Sequence, residues 1–205
     1  MATKLILIRH GQTEWNLKKR YCGFIDIPLN EQGRKQAKLL SARLKRELVD
    51  KVYCSDRKRA MQTARIVFKG VKIEEDPALR EIHFGIIEGL THDEALKRYP
   101  EVYSRWLKNP YSVTIPGGES MQGFKKRIVK ALKKIIAGYK DKTVAVVCHG
   151  GAISVFITHI LKTKDFWKHI SGSASLSVIE YKKNNPMIQL LNDTSHLLIK
   201  QVPCL

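Results

Sequence analysis

Acidic residues are scarce in this chain. Against 37 lysines and arginines stand 19 aspartates and glutamates, a formal net charge of +18 over 205 residues with histidine neutral. That balance invites an anionic partner (a nucleic acid, a membrane surface or a phosphorylated small molecule) and cannot choose among them. Cysteine is sparse as well. Cys22, Cys54, Cys148 and Cys204 are widely spaced and form no C-x-x-C pair, which argues against a disulfide framework or a zinc site. Reduced thiols and a cytoplasmic location are the expectation. A leading apolar run is missing: Met1-Ala2-Thr3-Lys4 precedes only four apolar residues before Arg9 and His10, too few for a signal peptide. The longest uncharged stretch, Thr143 to Leu161, could span a bilayer by length. His149-Gly150-Gly151 interrupts it, however, and a buried strand, a glycine turn and a helix explain it better than a membrane segment. No repeat, linker or composition break divides residues 1–205, so one domain is expected.

What is present reads as alternating strands and helices. Lys4 to Ile8 is a short apolar run, as in a strand buried on both faces. Gln32 to Leu48 carries Ala37, Leu40, Leu44 and Leu48 at helical spacing. Lys51 to Cys54 reads as a strand, Arg57 to Phe68 as a helix, and Asp93 to Leu107 as two short helices broken around Pro100. Ser120 is a candidate N-cap for a helix that Gly138 closes. A strand from Thr143 to Cys148, a helix from Ala152 to Leu161 and strands at Leu176–Tyr181 and Met187–Leu191 complete the series. The pattern predicts an α/β fold of three layers, α/β/α, around a mainly parallel sheet.

The residues after three of these strands stand out. The first strand runs into Arg9-His10-Gly11, the second into Ser55-Asp56-Arg57-Lys58-Arg59, the third into His149-Gly150-Gly151. Ligands bind outside the carboxyl ends of strands in open α/β sheets. Two histidines and several arginines therefore meet at one edge, a set suited to phosphate oxygens and to nucleophilic or acid–base chemistry. No third ligand at familiar spacing supports a metal site.

Leu7-Ile8-Arg9-His10-Gly11-Gln12-Thr13-Glu14-Trp15-Asn16 resembles the signature of the histidine phosphatase superfamily, the phosphoglycerate-mutase-like proteins. The likeness runs on in order through Ser55-x-x-x-Arg59-Ala60-x-x-Thr63-Ala64, Leu79-Arg80-Glu81-Ile82-His83-Phe84-Gly85, Gly117-Gly118-Glu119-Ser120, His149-Gly150-Gly151 and Ser195-His196-Leu197. It implies His10 as nucleophile and Glu81 as proton donor. Arg9, Asn16, Arg59, His149 and the backbone of Gly150 would be phosphate contacts, with Cys22 and Gly23 beside the substrate. It implies no cofactor and no metal. Glu81 poses a difficulty, because an acid must be protonated and nearby arginines oppose that; charge arriving with the substrate would offset them.

The short interval between Glu81 and Gly117-Gly118-Glu119-Ser120 resembles the small phosphatases more than the mutases. α-Ribazole phosphate, phosphoserine or a broad set of phosphomonoesters are the candidate substrates, with a cofactor-dependent phosphoglycerate mutase as the alternative and a non-catalytic anion- or nucleic-acid-binding protein as the lower one. Two positions depart from the group. Cys22 stands where many of its phosphatases have Gln, and Arg57, where an apolar residue is usual, reads as an extra anion contact or, the favoured reading, a solvated charge. A helical cap around residues 90–116, with Tyr103, Trp106 and Tyr111, is expected to set specificity. The basic runs Lys18-Lys19-Arg20, Lys125-Lys126-Arg127 and Lys133-Lys134 lack interleaved aromatics, so neither a specific nucleic acid nor a membrane is expected as partner. Monomer and homodimer are both open.

Overall fold

Parallel pairing at the centre of one sheet sets the architecture. The computed structural model describes residues 2–183 and 185–198; Cys204 lies outside them. The elements in order are β1 (Thr3–Arg9), α1 (Glu14–Leu17), α2 (Glu31–Leu44), β2 (Lys51–Cys54), α3 (Lys58–Val67), β3 (Ile73–Glu75), α4 (His92–Arg98) and α5 (Pro100–Lys108). After these come α6 (Met121–Gly138), β4 (Thr143–Cys148), α7 (Gly150–Leu161), β5 (Leu176–Lys182) and β6 (Asn185–Asp193). The sheet order is β3-β2-β4-β1-β5-β6. Strands β3, β2, β4 and β1 run parallel, while β5 and β6 add an antiparallel hairpin at one edge.

Side chains alternate across the central strands and feed two cores. Leu5, Leu7, Val144 and Val146 pack with Phe124, Ile128, Leu132, Ile153 and Phe156 of α6 and α7. Ile6, Ile8, Ala145 and Val147 pack with Ala37, Leu40, Ala60 and Ala64 of α2 and α3. This is the expected three-layer arrangement. A third cluster joins Ala95, Tyr103 and Trp106 of α4 and α5 to Ile87 and Ile115.

Several boundaries differ from expectation. Helix α2 stops at Leu44 and leaves Leu48 90% exposed, so its fourth apolar position lies outside the helix. Helix α7 starts at Gly150, two residues early, because His149 already serves as its N-cap residue. Strand β3 went unforeseen: it spans three residues, two of them glutamates, and carries no apolar alternation. Among the described residues, no helix is long and apolar enough to cross a membrane.

Two helix N-caps are made by side chains, the one at Ser120 as the sequence suggests. The Ser120 hydroxyl accepts from the N–H of Gly123 at 3.1 Å, and Asn30 Oδ1 accepts from Gly33 N–H at 2.8 Å. Gly33 also does something the sequence does not announce. A Cβ there would meet the carbonyl oxygen of Gln12 at 2.0 Å, and a Cβ on Gly11 would meet the carbonyl oxygen of Gly33 at 2.5 Å. Backbone packs directly on backbone where the chain leaves β1. Gly33→Ala is therefore expected to cost about 1–3 kcal/mol in denaturant unfolding. It should also lower any activity that depends on His10, since the loop after β1 must move.

Candidate active site

The sheet register builds the site. Arg9 pairs with Cys148 and Cys54 with Val147, so His10, His149 and Ser55 are the first residues beyond three adjacent parallel strands. Neighbouring strands lie about 4.8 Å apart, and the rings of His10 and His149 meet edge to face with centroids 5.2 Å apart. Backbone bonds fix both corners: His10 N–H donates to Cys148 O at 3.0 Å and Ser55 N–H to Val147 O at 3.0 Å.

Chemistry assigns the His10 tautomer. Its Nδ1 lies 2.7 Å from the carbonyl oxygen of Gly11, which can only accept. Nδ1 therefore carries the proton, and the lone pair sits on Nε2. Burial, reinforced by Arg59 and Arg9, holds His10 well below its ordinary pKa of 6.5. His149 is depressed for the same reasons, with burial largest, then Arg59 and His10. Its Nε2 lies 2.8 Å from Ser55 Oγ, while its Nδ1 is buried without a partner.

The two arginines hold carbonyls rather than carboxylates. Arg59, fully buried, donates through Nη1 to Ile25 O at 2.9 Å and through Nη2 to Gly23 O at 2.7 Å. Arg9 donates through Nη1 to Ser171 O. Both Nε atoms are buried and unpartnered. With His149 Nδ1 they make three orphaned polar atoms of the site among the described residues. Buried donors are normally satisfied, so such a concentration marks a place for a ligand acceptor. Gly150 heads α7, where its N–H has no intrahelical acceptor, and a Cβ there would press on the Arg9 guanidinium at 3.3 Å. Asn16 sits in the capping box of α1, its Oδ1 accepting from Thr13 N–H at 3.0 Å. The amide nitrogen is left to donate.

Burial answers part of the difficulty at Glu81. The residue is only 8% exposed, and burial raises its pKa against the opposing pulls of the Gly151 and Ile82 N–H groups and of Arg9 and Arg59. Incoming substrate charge is not needed for the direction of the shift. Oε2 accepts from Gly151 N–H at 2.8 Å and Oε1 from Ile82 N–H at 3.0 Å. A Cβ on Gly151 would lie 2.4 Å from Oε1, so glycine there leaves room for the carboxyl.

Three positioning residues escaped the sequence reading. Ser55, quoted only as part of a motif, orients His149. Glu88 gathers the N–H groups of Phe24, Ile25 and Phe84 at 2.8–3.1 Å and thereby shapes the loop whose carbonyls hold Arg59. Arg127, noted only within the basic run Lys125-Lys126-Arg127, binds the carbonyls of Ala78, Arg80 and Glu81 and the carboxylate of Glu119. At Arg57 the structure disfavours the solvated charge of the two readings. Its side chain is 17% exposed, and its buried Nε makes no hydrogen bond but is ion-paired with Asp56 Oδ1 at 3.6 Å. The Arg57 and Arg80 guanidiniums stand 5.5 and 5.3 Å from the centre of the Phe24 ring, and Arg80 is clamped by Asp56. Gly23 is buried under Arg59, and burial raises the half-buried Cys22 thiol, which suits an inert thiol. Among the described residues, no group of three or more His, Cys, Asp or Glu could hold a metal.

The family description "Histidine phosphatase superfamily (branch 1)" matches residues 5–194. The chain belongs to the histidine phosphatase superfamily. It is similar to phosphoserine phosphatase 1 of Hydrogenobacter thermophilus, 35% identical over 95% of this chain and 94% of that one. Among solved structures, Bacillus stearothermophilus YhfR superposes with a TM-score of 0.90 at 32% identity, covering 95% of this chain and 99% of that one. A phosphoserine phosphatase from Entamoeba histolytica, solved with 3-phosphoglyceric acid, gives 0.87 at 30% identity, covering 96% and 100%. This histidine phosphatase is thus a phosphoric monoester hydrolase of the phosphoglycerate-mutase-like fold.

The buried histidines make stability depend on pH. The unfolded chain takes up protons near pH 6.5 that native His10 and His149 refuse, so their contribution is complete above that value and is lost as pH falls below it. Each histidine is worth up to about 1.4 kcal/mol per pH unit in that window. Glu81 acts oppositely, its contribution being lost as pH rises above 4.5. Urea midpoints are expected to drop between about pH 8 and pH 5.5, and to drop less in His10→Gln.

Proposed function

We propose that the chain hydrolyses small phosphomonoesters through a phosphohistidine on His10. The observation that carries the reading is the His10 lone pair on Nε2, beside orphaned donors from Arg9, Arg59 and His149. Nε2 attacks phosphorus as the ester P–O bond breaks. Fixed guanidiniums stabilise the charge on the equatorial oxygens. The protonated Glu81 carboxyl gives its proton to the departing alkoxide, releasing the alcohol. The Glu81 carboxylate then takes a proton from water as that water displaces the N–P bond, yielding inorganic phosphate and restoring both residues. With Ser55 Oγ–H donating to His149 Nε2, the His149 Nδ1–H is free to bind a phosphate oxygen. Asn16 and the N–H of Gly150 complete the cradle.

The substrate carries a second negative group, and phosphoserine fits it better than α-ribazole phosphate. Arg57 and Arg80 around Phe24 lie next to Gly23, whose carbonyl holds Arg59, so an anionic tail meets them one residue beyond the phosphate grip. The phosphoserine phosphatase relatives point the same way. The segment around 90–116 acts as the cap over this tail.

Wild type is expected to turn over p-nitrophenyl phosphate in excess EDTA, with His10→Ala down by roughly a thousandfold or more. Undiminished activity in the variant would overturn the nucleophile. Glu81→Gln should lose about 10²–10⁴ in kcat on phosphoserine and far less on p-nitrophenyl phosphate, whose leaving group needs little protonation. Rapid conversion of 3-phosphoglycerate to 2-phosphoglycerate, primed by 2,3-bisphosphoglycerate, would instead establish the mutase reading. For the tail contact, Arg57→Leu should raise KM for phosphoserine by about tenfold, some 1.4 kcal/mol, and leave p-nitrophenyl phosphate unchanged.

A further inference from the structure

Most of the positive charge has no place in the catalytic cradle, and part of it is organised elsewhere. Two adjoining cavities, of about 780 and 1140 Å³, run along the outer side of α6 and the C-terminal end of α7. Five lysines and no acid line the first; six lysines and one acid, Asp141, line the second. Lys125, Lys133, Lys164 and His159 belong to both and make the two a continuous groove. Among the described residues, none of these three lysines is ion-paired. The groove is remote from the strand-end site: α7 carries Gly150 at one end and His159 near the other, and its 12 residues span about 18 Å.

The lining also says what kind of anion fits. Lysine ammoniums on flexible stems read charge rather than shape, and the groove has no arginine fork for base edges or planar groups. The groove has limited ring surface for stacking bases: Phe156 is 1% exposed, Tyr111 and Tyr181 are half-buried, and Lys125 stands over the Tyr111 ring. Its concavity is the wrong shape for a flat bilayer. We propose that this groove binds a linear polyphosphate chain, a succession of phosphate charges without bases, held by Lys125, Lys133, Lys164 and their neighbours.

Calorimetric titration with inorganic polyphosphate of defined chain length tests this, with orthophosphate saturating the site at His10. Binding is expected, weakening with salt at a log–log slope of about −0.7 per phosphate neutralised. The triple variant Lys125→Glu, Lys133→Glu, Lys164→Glu should lose at least about tenfold in affinity through reversal of the local field, with p-nitrophenyl phosphate turnover unchanged. Unaltered affinity in that variant, absence of binding in wild type, or binding indifferent to salt would overturn the proposal. So would an oligothymidylate of equal charge, or phosphatidylserine vesicles, binding as tightly as polyphosphate. Should the triple variant lose turnover and so fail to fold, Lys133→Gln with Lys164→Gln, both at exposed positions, carries the same comparison.

Discussion

Two guanidiniums enter the protein at the ends of the central strands without a carboxylate to pair with, and the rest of the site follows from that. Burying an unpaired charge is costly unless other groups solvate it. Here backbone carbonyls do so: Gly23 and Ile25 for Arg59, Ser171 for Arg9. Carbonyl dipoles compensate without neutralising, so the positive field survives at the place where the Nε atoms have no acceptor. That field, added to burial, keeps His10 and His149 unprotonated. The carboxyl that reaches into this field is Glu81, whose own burial outweighs the arginines. In the proposed reaction a nucleophile with a free lone pair and a carboxyl biased toward protonation thus share one cluster.

Much supporting structure exists to hold those carbonyls still. Glu88 gathers three N–H groups from the loop after Gly23 and from Phe84, which fixes the oxygens that Arg59 grips. Arg127 does the reciprocal job behind Glu81, binding the carbonyls of Ala78, Arg80 and Glu81 from α6. Where strand ends and loops approach closest, glycine is obligatory: Gly151 beside the Glu81 carboxyl, Gly33 against the backbone of Gln12. These are backbone contacts, and their cost when disturbed falls on geometry before it falls on global stability.

This division explains what was legible in the sequence. The reacting groups were visible because each stands at the end of an apolar run: His10 after Lys4–Ile8, His149 after Thr143–Cys148, Arg59 after Lys51–Cys54. Parallel register then brings them together with no further information. Glu81 was found only through its motif, since no periodic element precedes it. Ser55, Glu88 and Arg127 were missed as partners because their role is to meet main-chain atoms or a ring distant in sequence, and such contacts leave no local pattern. The two readings of Arg57 stayed open for a related reason: one arginine at a helix start looks solvated until Phe24, Asp56 and Arg80 close around it. Strand β3 was invisible because pairing with β2, rather than its own composition, makes it a strand.

The cap answers to a different constraint from the cradle. Tyr103 and Trp106 of this segment are 0% and 2% exposed and stack on each other with centroids 6.1 Å apart. They form their own apolar cluster with Ile87, Ala95 and Ile115, joined to the rest through Tyr21, Phe84 and the Trp106–Trp167 ring contact at 5.1 Å. A segment with a separate core can shift or change its outer residues while the strand-end arginines and histidines, anchored in the sheet, keep their positions. In the proposed function, selectivity and chemistry therefore rest on different packing units. Tyr21 and Phe84 join them at the Trp106 ring. Phe24 stays on the cradle side, edge-on to His83 at 4.8 Å, beside Arg57 and Arg80, and one residue from the carbonyl that holds Arg59.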